Sequence, residues 1–335
     1  MKTARLLGFP VLLSLLAGAA TAAQGSERWR MSAEQPGSNY ITRIAEDFAR
    51  QIRRESKGEL DIRISANSAL FSRAQVKDAV ARGDIQVGDL FLSALADEDP
   101  VYALDSLPFL VADYGQAKRL WAATRPAIEQ RLLQDGVRLL YAVAWPPQSL
   151  FSSRPVERMA DFQGLRLRTY NSTMARMAEL MGAVSISLPT EQVRQAFYGG
   201  QVHGMLTSSA TGLDLQAWKF ASHFYDIRAF IPKNVVVVNE AAFQALSRET
   251  RHAVLMAARH AELQGWELSW ALADYQVRTL ERRGMTVQRE VPAPLRHGLD
   301  EVGKTLLQEW LDTAGEHGVA VLEAYRSPSP KAAPQ

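Results

Sequence analysis

One strand-like segment near the middle of the chain ends in an arginine that could bind a carboxylate. Residues 164–168, Gly-Leu-Arg-Leu-Arg, predict a short strand that fixes the position of Arg168. A guanidinium stays charged at any working pH, and its planar fork matches the two oxygens of a carboxylate. A second predicted strand at 186–188, a helix at 190–198 and a glycine-containing turn at 199–204 follow. The residues alone leave two interpretations open, an anion-binding arginine or a solvated charge at a strand end.

The N-terminus has the three parts of an export signal. Lys2 and Arg5 form a basic region, residues 6–16 an apolar stretch, and residues 20–23 a cleavage site of small side chains. The apolar stretch is shorter than the roughly 20 residues that span a bilayer, and no later stretch reaches that length. We therefore expect cleavage of residues 1–23, location in the periplasm and no stable membrane insertion of the mature chain.

Composition excludes several kinds of chemistry. The chain has no Cys, which excludes disulfides, Cys-liganded zinc and thiol catalysis. It has 38 Lys and Arg against 36 Asp and Glu, and loss of Lys2 and Arg5 with the signal leaves 36 of each. A neutral mature chain is not expected to bind nucleic acid. The motifs of serine hydrolases, zinc proteases and nucleotide-binding proteins are absent, so we predict neither an enzyme nor a cofactor.

Strands and helices alternate along the chain. Helical patterns occur at 114–134, from Arg248 to about Arg282 and over about 293–325. Residues 234–238, Asn-Val-Val-Val-Val, are typical of a strand buried on both faces, and 225–230 predict a further strand. The alternation favours an α/β fold. Roughly 310 mature residues exceed what one hydrophobic core usually supports, which favours two lobes.

In the order and spacing of several segments, the chain resembles the solute-binding proteins of tripartite ATP-independent periplasmic (TRAP) transporters, the C4-dicarboxylate-binding-like family. The resemblance runs from about Arg30 to about Leu322. The segments that carry it are Gly164–Arg168, Glu179–Ala183 and Glu191–Gly204, supported by Ala66–Leu70, Gly83–Ile85 and Leu107–Leu110. It implies a two-lobed periplasmic binding protein fold of mixed sheets with flanking helices, joined by hinge strands. A long helix spans both lobes in this family, a role that fits residues 248–282.

The resemblance also implies where the lobes begin and end. Lobe I is expected to comprise 24–145 and 233–272, and lobe II 146–232 and 273–326. Residues 327–335 contain three Pro and predict a disordered tail. Proteins of this family capture a small organic acid by hinge closure between the lobes and deliver it to the membrane subunits of a TRAP permease.

The family's strand arginine, which clamps the ligand carboxylate, falls on Arg168. Twenty residues earlier, many members have a second arginine where this chain has Gln148. A glutamine donates a hydrogen bond but cannot neutralise a second charge. We therefore expect a monocarboxylate, such as a keto, hydroxy or aromatic acid. Members that hold a cation carry an acidic residue after their Val-Asp-Gly, whereas residues 202–207 here contain none, so no metal is expected.

Other residues correspond to ligand contacts of the family. Thr207 stands where many members place an Asn, so Thr207 and Ser208 are candidate hydroxyl donors, with a plain polar loop as the alternative. Asp89 matches a position that in some members binds ligand hydroxyls or amines, and it could equally cap a helix. Four aromatic side chains could line the cleft or belong to the core: Tyr40, Phe71, Trp145 and Tyr170.

Two other functions remain open from the sequence. A protein of this fold could present an organic acid to a signalling receptor, or it could be a periplasmic enzyme on the same scaffold. Permease genes beside this gene would favour transport. Product formed from candidate acids would favour an enzyme.

Overall fold

The computed structural model describes residues 26–327. The predicted signal at 1–23 lies outside these residues, as does the predicted tail apart from Ser327. The strands are β1 (Glu27–Ser32), β2 (Leu60–Ser65), β3 (Val87–Phe91), β4 (Val137–Ala144), β5 (Gln148–Ser152), β6 (Arg166–Thr169), β7 (Val184–Ser187), β8 (Gly204–Ser208), β9 (His223–Tyr225), β10 (Lys233–Asn239) and β11 (Thr286–Gln288). The α-helices are α1 (Tyr40–Glu55), α2 (Arg73–Ala81), α3 (Tyr114–Gln134), α4 (Ser172–Leu180), α5 (Val193–Tyr198), α6 (Ser209–Asp214), α7 (Glu240–Ala245), α8 (Arg248–Arg282) and α9 (Ala293–Arg326).

Two mixed β-sheets form the centres of two lobes. The first has the strand order β2-β1-β3-β10-β4, with β10 antiparallel to both of its neighbours. The second has the order β11-β9-β5-β8-β6-β7, in which β5 is antiparallel to β8 and β9 while β6 is parallel to β7 and β8. The predicted α/β class with mixed sheets and flanking helices is confirmed.

Strand β10 occupies the position that its valine run predicts. Val235–Val238 are at most 2% exposed, and the strand pairs with β3 on one edge and β4 on the other. In this register Val236 lies opposite both Asp89 and Tyr141. β-branched apolar side chains favour a strand that is buried on both faces and hydrogen-bonded to a neighbour on both edges.

The chain passes between the two sheets through two short connections, 145–147 after β4 and 226–232 before β10. The predicted strand at 225–230 is wrong, because the strand ends at Tyr225. Arg228 has a φ of 50°, in the left-handed region that a strand cannot contain. The backbone turns there as it leaves the second sheet for the first.

The two long helices each contact both lobes. α8 has the predicted bounds and packs on α1 and β4 of the first lobe and on α6 and β11 of the second. α9 places Leu295 and Leu299 in the core of the second lobe but Trp310 and Leu322 in the core of the first. α9 reaches both cores because it is 34 residues long, with a kink at Gly315. The lobe boundaries given above stay a prediction.

A glycine in β3 allows α2 to pack close to the first sheet. A Cβ atom on Gly88 would lie 2.6 Å from a methyl of Val76 and 2.9 Å from one of Val80. Such contacts are too short for any larger side chain, so α2 packs directly on the β3 backbone. This packing places Arg73, the first residue of α2, beside Phe91 at the end of β3.

Candidate ligand-binding site

A cavity lies between the two lobes, where the ends of strands from both sheets meet. The first lobe contributes Gln35, Arg73, Phe91 and Trp145, and the second contributes Gln148, Arg168, Tyr170, Thr190, Thr207, Ser208 and Thr211. Its volume is about 360 Å³ with open solvent at its mouth included. The enclosed part of the cavity is therefore small.

A wider groove, about 1520 Å³ with open solvent included, lies between α3 and α8. Its lining comes from α3, β4 and α8 of the first lobe, with Leu133 and Leu263 exposed along it. Movement of one lobe against the other cannot enclose a ligand there. The cavity between the lobes is the better candidate for a site that depends on hinge closure.

Arg168 is held rigidly in the wall of this cavity. Strand β6 carries it between β7 and β8, and the residue is 3% exposed. Its Nε donates to the backbone oxygen of Leu188 (2.9 Å) and its Nη2 to the hydroxyl of Thr190 (3.2 Å). Within the described chain these bonds use two of the five guanidinium donors, so the fork can still receive a carboxylate. The Cζ atom lies 4.8 Å from the centre of the Tyr170 ring.

Burial, together with the nearby positive charge of Arg73, lowers the pKa of Arg168 to about 10. The side chain is still protonated at neutral pH, since its pKa stays well above 7. A buried guanidinium in this state stabilises any anion that enters the cavity. The same burial makes the charge costly while the cavity contains only water.

A second arginine enters the cavity from the first lobe. Arg73 donates from Nε to both carboxylate oxygens of Glu34, at 2.9 and 3.0 Å, and its Nη2 also contacts that carboxylate. Its Cζ lies 5.0 Å from the centre of the Phe91 ring. Burial acts to lower the pKa of Arg73, but the Glu34 carboxylate overcomes this and raises it above its ordinary value. Arg73 is therefore a fully ionised side chain with a fixed counter-ion.

Trp145 forms an apolar wall with a fixed orientation. Its indole Nε1 donates to the side-chain oxygen of Asn234 (2.7 Å), and the Asn234 amide donates to Asp89 (2.8 Å). Tyr40 packs edge-on against Trp145, with ring centres 6.0 Å apart, and its hydroxyl donates to the backbone oxygen of Ala144. Because its polar atom is engaged behind the wall, the indole can offer only its apolar surface to a ligand.

The polar residues predicted in the second lobe, Gln148, Thr207 and Ser208, line the cavity. They differ in how far their side chains are already engaged in hydrogen bonds within the protein. The Gln148 amide donates to the backbone oxygen of Pro146 (3.0 Å). The Ser208 hydroxyl caps α6 by accepting from the backbone N–H of Thr211 (3.1 Å), so it is partly engaged. Thr207 lies on β8, 5% exposed. The Tyr170 hydroxyl is buried and has no hydrogen-bond partner within residues 26–327, which marks it as a group that a ligand could satisfy.

Three residues predicted for the site do not line the cavity. Tyr40 supports Trp145 from behind, and Phe71 packs partly buried against the first-lobe core. Asp89 lies within β3, so the alternative that it caps a helix is wrong. Burial, with a smaller contribution from Glu34, raises the pKa of Asp89 to about 7. Its second carboxylate oxygen has no partner within the described chain.

Sequence reasoning missed several lining residues: Gln35, Arg73, Phe91, Thr190 and Thr211. For Arg73, one local feature of the sequence could have indicated a special role. It is the first residue of a helix, where the helix dipole disfavours a cation unless another group compensates. The compensating group, Glu34, lies in the loop before α1 and is distant in sequence.

Hydrogen bonds tie the lobes together around the cavity. Asn171, which caps α4, donates to the Ser93 hydroxyl of the first lobe (3.0 Å). Asn39, which caps α1, donates to Asp214 of the second lobe (2.7 Å). With the tight cavity between them, these contacts define a closed arrangement of the lobes.

Residues 26–327 contain neither a cluster of metal ligands nor a helix suited to crossing a membrane. No three His, Asp or Glu side chains converge there in a way that could hold a metal ion. None of the helices in that part of the chain has the length and apolar composition needed to cross a membrane.

Two lobes closed over a small cavity with a buried arginine define a two-lobed solute receptor. The sequence profile of the DctP family, described as bacterial extracellular solute-binding protein, family 7, matches residues 31–311. The chain belongs to this family, and the predicted family is confirmed. Its members are extracytoplasmic solute receptors rather than enzymes.

Solved structures of such receptors are similar over most of the chain. DctP7 of Bordetella pertussis, an extracytoplasmic solute receptor binding pyroglutamic acid, is 42% identical, with a TM-score of 0.88 over 90% of this chain and 100% of that one. DctP6 of the same organism, also described as binding pyroglutamic acid, is 36% identical, with a TM-score of 0.87 over 90% and 99%. A marine metagenome TRAP solute-binding protein specific for pyroglutamate is 30% identical, with a TM-score of 0.87 over 90% and 99%.

Proposed function

We propose that this receptor captures a small monocarboxylate of the pyroglutamate type in the periplasm and delivers it to a TRAP permease. The observation that carries the proposal is Arg168, a buried and rigidly held guanidinium in the cavity between the lobes. Export through the predicted signal would place the mature chain where such ligands enter. The three similar receptors described as binding pyroglutamate, at 30–42% identity, support this ligand class.

The chemistry of pyroglutamate matches the groups around the cavity. Its carboxylate would pair with the free donors of Arg168. Its lactam has one N–H and one carbonyl oxygen, which the Thr207 hydroxyl, the Tyr170 hydroxyl and the Gln148 amide can satisfy. Its small ring would pack on Trp145. The carboxylate contributes one negative charge, and the second lobe provides one buried arginine to meet it.

Binding in this mode would shift the balance between open and closed lobes. Arg168 belongs to the second lobe and Trp145 to the first, so a ligand touches both only when the lobes close. The free energy of these additional contacts favours the closed form. The closed form would then dock on the permease and release its ligand there.

A thermal-shift screen of carboxylic acids, followed by calorimetry, tests the ligand class. Pyroglutamate at a hundred times its Kd should stabilise the protein by about 2.7 kcal/mol. Arg168→Ala should remove this stabilisation. Arg166→Ala is the matched control, since Arg166 lies on the same strand but contacts Gly200 and His203 instead. Stabilisation by dicarboxylates alone, or stabilisation that survives in Arg168→Ala, would contradict the proposal.

Delivery is tested in cells. Deletion of the gene should abolish uptake of labelled ligand at low external concentration, and the wild-type gene should restore it. Uptake unchanged by the deletion, with loss of a transcriptional response to the ligand, would favour a sensory role.

A further inference from the structure

Two arginines face the cavity from opposite lobes, and within residues 26–327 only Arg73 has a carboxylate partner. Arg73 on the first lobe and Arg168 on the second both line the cavity, and no carboxylate of residues 26–327 lines it with them. They are near enough that the charge of Arg73 lowers the pKa of Arg168. Closure of the lobes therefore brings two like charges together in a poorly hydrated space.

Glu34 holds Arg73 in a bidentate pair. The side chain of Glu34 is 13% exposed and that of Arg73 is 26% exposed. Nε of Arg73 bonds both carboxylate oxygens, which fixes the guanidinium in one plane against Phe91. A carboxylate that lies behind the guanidinium in this way cancels its charge without occupying the cavity.

The other acidic groups nearby contribute less. Glu191 interacts with both arginines, but its side chain is exposed and therefore screened by water. Asp89 is buried in β3 outside the cavity lining and hydrogen bonds to Asn234. The charge that a ligand meets is therefore close to that of Arg168 alone.

We propose that Glu34 sets the charge specificity of the receptor, because its pairing with Arg73 leaves the closed cavity with one positive charge to satisfy. Without Glu34, two guanidiniums would face the ligand, and a second carboxylate on the ligand would be favoured. This inference rests on the proposed function. It adds a specificity-determining residue that does not itself line the cavity.

Calorimetry with two probes of matched size tests the inference. Pyroglutamate carries one carboxylate, and glutarate has the same number of carbon atoms and two carboxylates. Glu34→Gln should raise the ratio of glutarate to pyroglutamate affinity by about 10- to 100-fold, the scale of a hydrogen bond to a charged group. The double variant Glu34→Gln/Arg73→Gln should return the glutarate to pyroglutamate affinity ratio towards the wild-type value, because Arg168 is again the single positive charge facing the ligand.

Glu240→Gln is the matched control. Arg138 forms a bidentate pair with Glu240 and lies 4.9 Å from the centre of the Phe243 ring, which reproduces the Arg73–Glu34–Phe91 arrangement on the same lobe. The exposures of this second pair, 31% and 23%, are also similar. Its loss should leave the glutarate to pyroglutamate ratio unchanged.

The possible outcomes separate the two proposals. Wild-type protein that binds neither probe overturns the proposed ligand class and this inference together. Wild-type protein that binds pyroglutamate, combined with an unchanged ratio in Glu34→Gln, overturns the inference alone. If Glu34→Gln does not fold, the variant Arg73→Gln tests the inference instead. It leaves the Glu34 carboxylate unpaired, which should weaken pyroglutamate binding about tenfold or more. Unchanged pyroglutamate affinity in Arg73→Gln overturns the inference.

Discussion

The ring of Phe91 meets the ring of Tyr170 edge-on, with the ring centres 5.6 Å apart and the planes at 77°. Phe91 belongs to the first lobe and Tyr170 to the second, so this contact exists only while the lobes are closed. Arg73 lies over the first ring and Arg168 over the second. The four side chains form a continuous stack from one lobe to the other, which links the charged groups of the cavity to its closure.

The aromatic contact should contribute to ligand affinity through closure. Edge-to-face pairs contribute about 0.5–1.5 kcal/mol beyond the area that they bury. A double-mutant cycle with Phe91→Leu and Tyr170→Leu should give a coupling energy of that size in the free energy of pyroglutamate binding. A coupling near zero would mean that the two rings do not act together in the closed form.

Gln148→Arg should shift the receptor towards dicarboxylates. Gln148 is 4% exposed and lines the cavity, so an arginine there adds a second charge beside Arg168. We expect glutarate to gain about tenfold or more in affinity relative to pyroglutamate, as measured by calorimetry. Gln134→Arg, at the exposed end of α3, adds the same charge away from the cavity and should change nothing. Unaltered selectivity in Gln148→Arg would contradict the link between this position and ligand charge.

Asp89 should make stability depend on pH. Its pKa is about 7 in the folded protein, against about 4 in an unfolded chain, so the folded state binds the proton more tightly. The stabilisation that this group provides is complete below about pH 4 and is lost as pH rises through 7. Asp89→Asn removes the titration, so the unfolding free energy of wild type minus that of the variant should fall between pH 5 and pH 8.

Guanidinium denaturation at several pH values measures this difference, which should change by about 1.4 kcal/mol per unit of pH over the steepest part of the range. Asp84→Asn is a suitable control, because Asp84 is exposed and pairs with Arg82 at the surface. A difference for Asp89→Asn that is flat with pH would show that the carboxyl titrates normally.

Gly265 should be required for the packing of α8 on the first sheet. A Cβ atom there would lie 2.8 and 2.9 Å from the two methyl groups of Val143 in β4. Overpacking of this kind costs about 1–3 kcal/mol, partly offset by about 1 kcal/mol from the better helix propensity of Ala. Gly265→Ala should lower the unfolding free energy, and Val143→Ala should relieve the clash. Additive effects in the double variant, measured by urea denaturation, would exclude this contact as the cause.

Local patterns predicted much of the fold. The bounds of α3 and α8 follow from helical periodicity, and the burial of β10 follows from its valine run. These features depend on residues close together in sequence. The strand predicted at 225–230 was wrong because the left-handed backbone of Arg228 reflects where the chain must turn between sheets, which no local pattern specifies.

The sequence by itself determined most of the elements, the family and the strand that carries Arg168. Only the tertiary structure decided which side chains face the ligand. In the folded chain Trp145 lines the cavity and Asp89 does not, and Arg73 forms its ion pair with Glu34. The physical reason is that a cavity between lobes is lined by residues from distant segments. Their charge and burial are set by neighbours that the chain acquires only when it folds and closes.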